Sequence, residues 1–144
     1  MGFTLDQEAI QYISYFENIS GATIDDCVVM EDDKIVFIVK KGQAGLAIGK
    51  RGSNIKKAQR DLKKEIEIIE NGETPEDLIK NSLAPADVTD VTISTSNEGK
   101  DVAFVKVPQK QRGIAIGKGG SKIDRCRRLV QRHFEIDEVI LTKS

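Results

Sequence analysis

Residues 43–60, QAGLAIGKRGSNIKKAQR, recur 68 positions later as residues 111–128, QRGIAIGKGGSKIDRCRR. Ten of the eighteen aligned positions are identical, including the glycines and the lysine of a Gly-Lys-X-Gly run at 49–52 and 117–120. A match of this length in a chain of 144 residues indicates that one supersecondary unit occurs twice. We therefore predict two domains, at residues 1–70 and 71–144.

Each copy predicts the same order of elements: helix, strand, strand, short helix, helix and strand. Thr4, followed by Gln7, fits a capping box at the start of the first helix. The first copy should contain helix 4–21, strands 24–30 and 34–40, helices 42–48 and 53–64, and strand 65–70. The second should contain helix 75–83 capped by Thr74, strands 87–96 and 101–107, a short helix, helix 121–133 and strand 138–141. We expect an α+β fold of two αββααβ domains, each a three-stranded sheet packed against helices.

The charges of the chain are segregated although their sum is only −1. Residues 40–64 carry nine Lys or Arg and one acid, and residues 106–132 carry nine and one as well. The acidic excess lies in the remainder of the chain. Because a polyanion responds to the local potential and not to the net charge, this distribution is compatible with a nucleic-acid partner.

Several classes of protein are disfavoured by composition. Cys27 and Cys126 lie far apart without a Cys/His cluster, so we expect two buried, reduced thiols and no metal site. No apolar run approaches the roughly 20 residues that cross a bilayer, and the N-terminus lacks the features of a signal peptide. We therefore expect a cytoplasmic protein without membrane contact. We also expect it to be a monomer that needs no cofactor.

The Gly-Lys-X-Gly run lies between two predicted helices and suits a phosphate ligand. Glycine admits positive φ values and leaves the backbone unshielded. Ser53 is predicted to cap the helix after the first loop, and the helix after the second loop is predicted to begin at Ser121. The free N–H groups and positive dipole end of each helix attract anions. Apolar stripes on these helices should place the basic side chains on exposed faces. These exposed residues are Lys56, Lys57, Arg60, Lys63 and Lys64 in the first copy and Lys122, Arg125, Arg128 and Arg132 in the second.

An enzymatic interpretation fits poorly. The phosphate-binding loop of nucleotide hydrolases needs four residues between its glycines and a Ser or Thr after the Lys. Here three residues separate Gly113 from Gly117, and Arg51 or Gly119 follows the lysine. The chain has one histidine, His133, placed near the end of a predicted helix, so no Ser-His-Asp or Cys-His set is available. We predict that the protein is not an enzyme.

The segments 48–55 and 116–123 resemble the I-G-x-x-G-x-x-I signature of KH domains. Because two strands precede the loop, the order of elements is similar to the type II form of that fold. The tandem further resembles the KH pair of NusA transcription factors, in particular the short archaeal NusA-like proteins, through residues 45–50 and 81–86. This resemblance covers nearly the whole chain.

The resemblance implies single-stranded RNA binding in a groove along each loop and its two helices, with about four nucleotides per domain. Ile48 and Ile116 belong either to an apolar floor beneath the bases or to the core, whereas Ile55 and Ile123 are assigned to the core. The residues expected to contact RNA are Gly45, Ile48, Gly49, Lys50, Arg51, Gly52, Ser53, Lys56, Lys57 and Arg60 in the first copy, and Arg112, Gly113, Ile116, Gly117, Lys118, Gly119, Gly120, Ser121, Lys122 and Arg125 in the second.

Three functions remain open. The family resemblance favours an RNA-binding factor in transcription termination or antitermination, with RNA polymerase as a further partner. Type II KH folds also occur in ribosomal and ribosome-assembly proteins. The third function is a protein-interaction module that uses the acidic remainder and binds no RNA, which is the weakest because both loops keep their glycines and a lysine.

Overall fold

The computed structural model describes residues 6–143. Its internal contacts divide between Asn71 and Gly72 into two compact units, each containing helices and one three-stranded sheet. The predicted α+β class and the αββααβ order are confirmed for both units.

The first unit contains α1 (Gln7–Ser20), β1 (Ile24–Val29), β2 (Ile35–Val39), α2 (Ala44–Ile48), α3 (Ser53–Leu62) and β3 (Ile66–Glu70). Helix α1 is capped by Asp6, whose Oδ1 accepts a 2.8 Å hydrogen bond from the N–H of Ala9. The predicted cap, Thr4, lies outside the described residues. The helix ends at Gly21, as predicted, because this residue takes the left-handed conformation (φ 76°) that suits glycine.

The first sheet has the order β1-β2-β3, with β1 antiparallel and β3 parallel to the central strand. All five residues of β2 are buried, which explains why this strand reads as a continuous apolar run, IVFIV. On one face, Phe37 stacks on Phe16 of α1 with ring centroids 4.6 Å apart. Ala47 of α2 and Ala58 of α3 reach the same core, so that it fixes both helices that flank the Gly-Lys-X-Gly loop.

The second unit contains α4 (Pro75–Leu83), β4 (Asp90–Thr95), β5 (Asp101–Val107), α5 (Arg112–Ile116), α6 (Ser121–Phe134) and β6 (Glu138–Lys143). Thr74 caps α4 by accepting from the N–H of Asp77, and Pro75 occupies the first helical position, as predicted. The sheet order is β4-β5-β6, again antiparallel and then parallel. Helix α4 packs on α6.

The predicted boundaries differ from the observed ones by a few residues. Helix α3 ends at Leu62 and not at residue 64, because Lys63 already takes a left-handed conformation. Strand β4 starts at Asp90 and not at residue 87, whereas β6 continues to Lys143. Cys27 and Cys126 are both buried thiols, as predicted.

Candidate nucleic-acid interface

The two Gly-Lys-X-Gly runs adopt the same backbone conformation. Gly49 and Gly117 have φ, ψ values of 81°, 168° and 77°, 172°, a region that essentially only glycine adopts without strain. A single 3-10 turn follows in each copy, closed by a 3.1 Å hydrogen bond from the last glycine N–H to the carbonyl of the first. The repeat seen in the sequence is therefore also a repeat of loop geometry.

The first glycine of each loop is required by packing as well as by conformation. A Cβ added at Gly117 would lie 2.7 Å from Cβ and 2.9 Å from N of Lys122. One added at Gly49 would lie 2.8 Å from Ser53 Oγ. These glycines let the loop lie directly against the start of the next helix, so substituting them would disturb the fold before it tested any ligand.

The third position of the loop also has a positive φ, 55° at Arg51 and 62° at Gly119. A non-glycine residue at this angle is uncommon. The turn nevertheless accommodates one at Arg51, and its backbone shape does not require the glycine found at residue 119. This pair of positions differs in charge and not in conformation.

Helices α3 and α6 begin without a capping side chain. Gly52 and Gly120 occupy the N-cap positions in the left-handed conformation, with φ values of 74° and 80°. Ser53 and Ser121 are consequently the first helical residues. The prediction that Ser53 caps its helix was wrong, whereas the predicted start of the second helix at Ser121 is confirmed. A serine caps only from an extended backbone, and the glycine turn enters each helix from a different direction. The N–H of Ser53 donates to the carbonyl of Lys50, and that of Ser121 to the carbonyl of Lys118. The N-cap glycines bring no side chain to the N–H groups that follow, so these can donate to a ligand.

In the first unit, the cations predicted to lie on exposed faces are exposed except for Lys64, which is half-buried and pairs with Asp33 at 3.6 Å. Lys50, Arg51, Lys56, Lys57 and Arg60 all lie at the surface. Lys57 Nζ forms a 3.2 Å ion pair with Asp61. Helix α3 therefore presents a basic face that continues from the loop tip.

Asp61 also joins this face to helix α1. The hydroxyl of Tyr15 donates to Asp61 Oδ2. This bond, followed by the contact with Lys57, holds the pKa of Asp61 below its usual value. Burial, and then the bond to Asp61, raises the pKa of Tyr15 to about 12. The network positions Lys57 without engaging the loop.

In the second unit, two predicted RNA ligands serve the fold instead. Arg125 is only 4% exposed, and its Nη2 donates to the carbonyl of Ser82 at 2.9 Å. Its predicted exposure was wrong, because α4 packs on this side of α6. Lys122 is half-buried, and its Nζ donates to the carbonyl of Ala84 at 2.8 Å. The last carbonyls of a helix lack intrahelical partners, and these two cations bind carbonyls at the end of α4.

Lys118 is exposed at the loop tip of the second unit. Arg112 is exposed too, with its Nη1 3.5 Å from the carbonyl oxygen of Leu141. Arg128, on the outer face of α6, is exposed as predicted, whereas Arg132 is half-buried.

Apolar side chains line the surface before each loop. Ile48 is 37% exposed, and Leu46 and Ile114 are 51% and 47% exposed. Ala47, between Leu46 and Ile48, is fully buried, as is its counterpart Ala115. Ile116 is half-buried, whereas Ile123 is buried and Ile55 packs against the core, as predicted.

Leu46 and Ile114 were missed at the level of sequence. They occupy equivalent positions of the repeat, 68 residues apart, and each adjoins a buried alanine. The recurrence of an apolar residue at both positions marked them as a pair, but a helix of five residues does not define which of its faces is exposed. Gly45 and Gly113, on the same short helices, are exposed, and a Cβ added to either would meet no atom within 4 Å. An approaching ligand could therefore contact bare backbone there.

Two features were sought in the described part of the chain. Within residues 6–143, no group of three or more His, Cys, Asp or Glu side chains could hold a metal ion. In the same range, no helix has the length and apolar character needed to cross a membrane.

Comparison with known proteins agrees with this geometry. Residues 10–80 match the family model of the KH domain, and residues 75–144 match that of the NusA-like second KH domain. A protein of Halococcus morrhuae, named probable transcription termination protein NusA, is 38% identical over 98% of this chain and 99% of its own length. The chain belongs to the NusA family. Its two αββααβ units are tandem KH domains, as the sequence predicted.

Other relatives support the same assignment to the NusA family. The Methanocaldococcus jannaschii protein of the same name is 38% identical over 94% of this chain and 73% of its own length. The crystal structure of APE1850 matches with a TM-score of 0.83 and 32% identity, covering 96% of this chain and 100% of that one.

Proposed function

We propose that this NusA-family chain binds single-stranded RNA through both Gly-Lys-X-Gly loops and acts in transcription termination or antitermination. The observation that carries the proposal is the repeated loop. Two turns of the same conformation each open onto an uncapped helix start, with an exposed lysine at the tip. Phosphate is the ligand that such a combination of amides, helix dipole and positive charge favours.

The apolar surface before each loop supports an unpaired strand over a duplex. With phosphates held at residues 49–52, the bases would lie over α2, where Leu46 and Ile48 are exposed. Bases in a duplex are stacked and paired and cannot cover such a surface, whereas unstacked bases can. Gly45 leaves room for close contact. The same reasoning applies to Ile114, Ile116 and Gly113 of the second unit.

The role in transcription rests on the relatives. The curated Halococcus and Methanocaldococcus proteins are named transcription termination proteins. We accordingly propose RNA polymerase as a second partner, and a monomeric protein acting in the cytoplasm. Purification of the tagged chain from its native organism tests this part. Recovery of RNA polymerase subunits supports it, and recovery of ribosomal particles in their place contradicts it.

RNA binding itself is tested by fluorescence anisotropy with a labelled single-stranded RNA of about ten nucleotides. We expect log Kd to rise with log salt, with a slope of about 0.7 per phosphate contacted. The test variant carries Lys50→Asp and Arg51→Asp with Lys118→Asp and Gly119→Asp. It leaves the four outer glycines intact, and Asp accepts the left-handed conformation more readily than most residues.

The matched control is Lys100→Asp, an exposed residue at the start of β5, at the opposite end of that seven-residue strand from the loop. We expect the four-site variant to lose at least tenfold in affinity and the control less than twofold. Thermal unfolding should show both variants folded. Equal affinity of the four-site variant and the unaltered chain would remove the loops from the mechanism.

A further inference from the structure

The two loops share a backbone but differ in the charges around them. Counting 68 residues on, Arg51 corresponds to Gly119, and Lys56 corresponds to Asp124. The first substitution removes a cation from the loop tip. The second replaces a cation by an anion on the first turns of the following helix. Both changes reduce the positive charge of the second site.

Lys56 and Asp124 lie at the same place relative to the loop. A Cβ built on Gly52 would be 3.9 Å from Cε of Lys56. A Cβ built on Gly120 would be 3.7 Å from Oδ2 of Asp124. The last glycine of the loop is therefore faced by the end of a lysine side chain in one unit and by a carboxylate in the other.

Other cations of α6 are engaged by the second unit itself. Lys122 and Arg125 donate to carbonyls at the end of α4, at 2.8 and 2.9 Å. Arg127 donates to the carbonyl of Val139 through Nε at 3.3 Å and Nη2 at 3.2 Å, and its Nη1 pairs with Asp124 at 3.0 Å. Lys118 and Arg128 remain exposed for a phosphate backbone.

The first unit keeps more of its charge available. Lys50, Arg51, Lys56 and Arg60 are exposed, and no hydrogen bond or ion pair engages their side chains within residues 6–143. Four cations without such a partner thus surround the first loop. Around the second, only Lys118 and Arg128 are comparable, since Arg112 is exposed but lies 3.5 Å from the carbonyl oxygen of Leu141. No acid in the first unit corresponds to Asp124.

We propose, on the basis of the RNA-binding function above, that the two loops contribute unequally. The first loop supplies most of the electrostatic affinity and the salt dependence. The second binds RNA chiefly through its backbone amides and its apolar floor, and Asp124 weakens its contact with phosphate. RNA is therefore bound more tightly by the first domain than by the second.

Reciprocal exchange of the differing residues tests this inference by anisotropy with the same RNA. Arg51→Gly with Lys56→Asp gives the first loop the charges of the second, and should weaken binding at least tenfold and reduce the salt slope by about 1.4. Gly119→Arg with Asp124→Lys gives the second loop the charges of the first, and should strengthen binding at least fivefold. Arg51 shows that the turn accepts arginine at this position.

Two measurements keep the outcomes distinct. Glu98→Lys, in the β4–β5 turn, adds positive charge away from the loop and should change affinity less than twofold. Asp124→Asn removes the carboxylate without adding a cation and should strengthen RNA binding by itself. It therefore tests the proposal even if the double variant fails to fold. Equal losses from Lys50→Asp and Lys118→Asp, or no gain from either Asp124 variant, would overturn the proposal. If the unaltered chain binds no single-stranded RNA, the proposed function fails instead.

Discussion

Replacement of Arg125 by alanine distinguishes a structural residue from an RNA ligand. Arg125 lies on the basic helix that follows the second loop, yet it is 4% exposed and donates to the Ser82 carbonyl at 2.9 Å. Alanine would remove two buried methylene groups, Cγ and Cδ, worth about 0.8 kcal/mol each. It would also leave the carbonyl without this donor, which costs about 1–3 kcal/mol.

Burying the guanidinium charge costs free energy in the unaltered chain, and alanine removes this cost, which offsets part of the loss. We expect a net destabilisation of about 3 kcal/mol. For a unit of about seventy residues, this lowers Tm by roughly 12–24 °C. Urea unfolding followed by circular dichroism measures the change. Because Arg125 does not face the ligand, RNA affinity below the unfolding transition should change less than twofold.

The matched variant is Arg128→Ala, one turn nearer the end of the same helix and exposed. It should leave stability within about 0.5 kcal/mol, as surface substitutions usually do, and should weaken RNA binding at least twofold. If Arg125→Ala remains as stable as the unaltered chain and weakens RNA binding like Arg128→Ala, the structural assignment of Arg125 is refuted.

Three further predictions follow from the same structure. Gly45→Ala with Gly113→Ala should stabilise the fold by about 0.5–1 kcal/mol per site, because alanine is the better helix former and its Cβ has room. The same variant should weaken RNA binding, and unchanged affinity would show that the ligand does not approach these helices closely. Tyr15→Phe should cost about 1 kcal/mol at neutral pH. The folded-state pKa of Tyr15 is raised from 10.0 to about 12, so the unaltered chain should lose stability as pH rises through that interval, whereas the Phe variant should not. The pKa of Asp61 is lowered, so the stability that this carboxylate contributes should be lost as pH falls below 3.8. If the urea midpoints of the unaltered chain and of Tyr15→Phe change with pH in the same way, both statements are contradicted. The thiol of Cys126, whose pKa burial raises to about 12, should react with alkylating reagents only after unfolding; rapid labelling of the native chain, followed by mass spectrometry, would show otherwise.

The sequence predicted the fold and the loops because both are encoded locally. Glycines at fixed spacing, apolar periodicity and the ten identities of the repeat determine the order of elements within each copy. Thr74 and Pro75 marked the start of α4 by side-chain chemistry alone. The exposure of Ile48 could not be decided in this way, because a short helix of five residues gives too few turns to define a face.

The failure at Arg125 has a different cause. Helical phase placed it beside the stripe of Ile123 and Cys126, but it did not show that α4 covers a second side of α6. Leu129, one turn after Arg125 and fully buried, was the indication, since the corresponding residue of the first copy is Asp61. Likewise, serine is a residue type that commonly caps helices, but Gly52, in the left-handed conformation, already occupies the N-cap position before Ser53.

The central claim is that backbone amides of the two loops contact the phosphates of an unpaired RNA strand. An NMR titration of the 15N-labelled chain with a single-stranded RNA of about ten nucleotides tests it most directly. The largest amide shifts should fall at residues 49–56 and 117–124, with smaller ones on α2 and α5. Shifts confined to the sheets or to α1 and α4, with both loops unchanged, would contradict it.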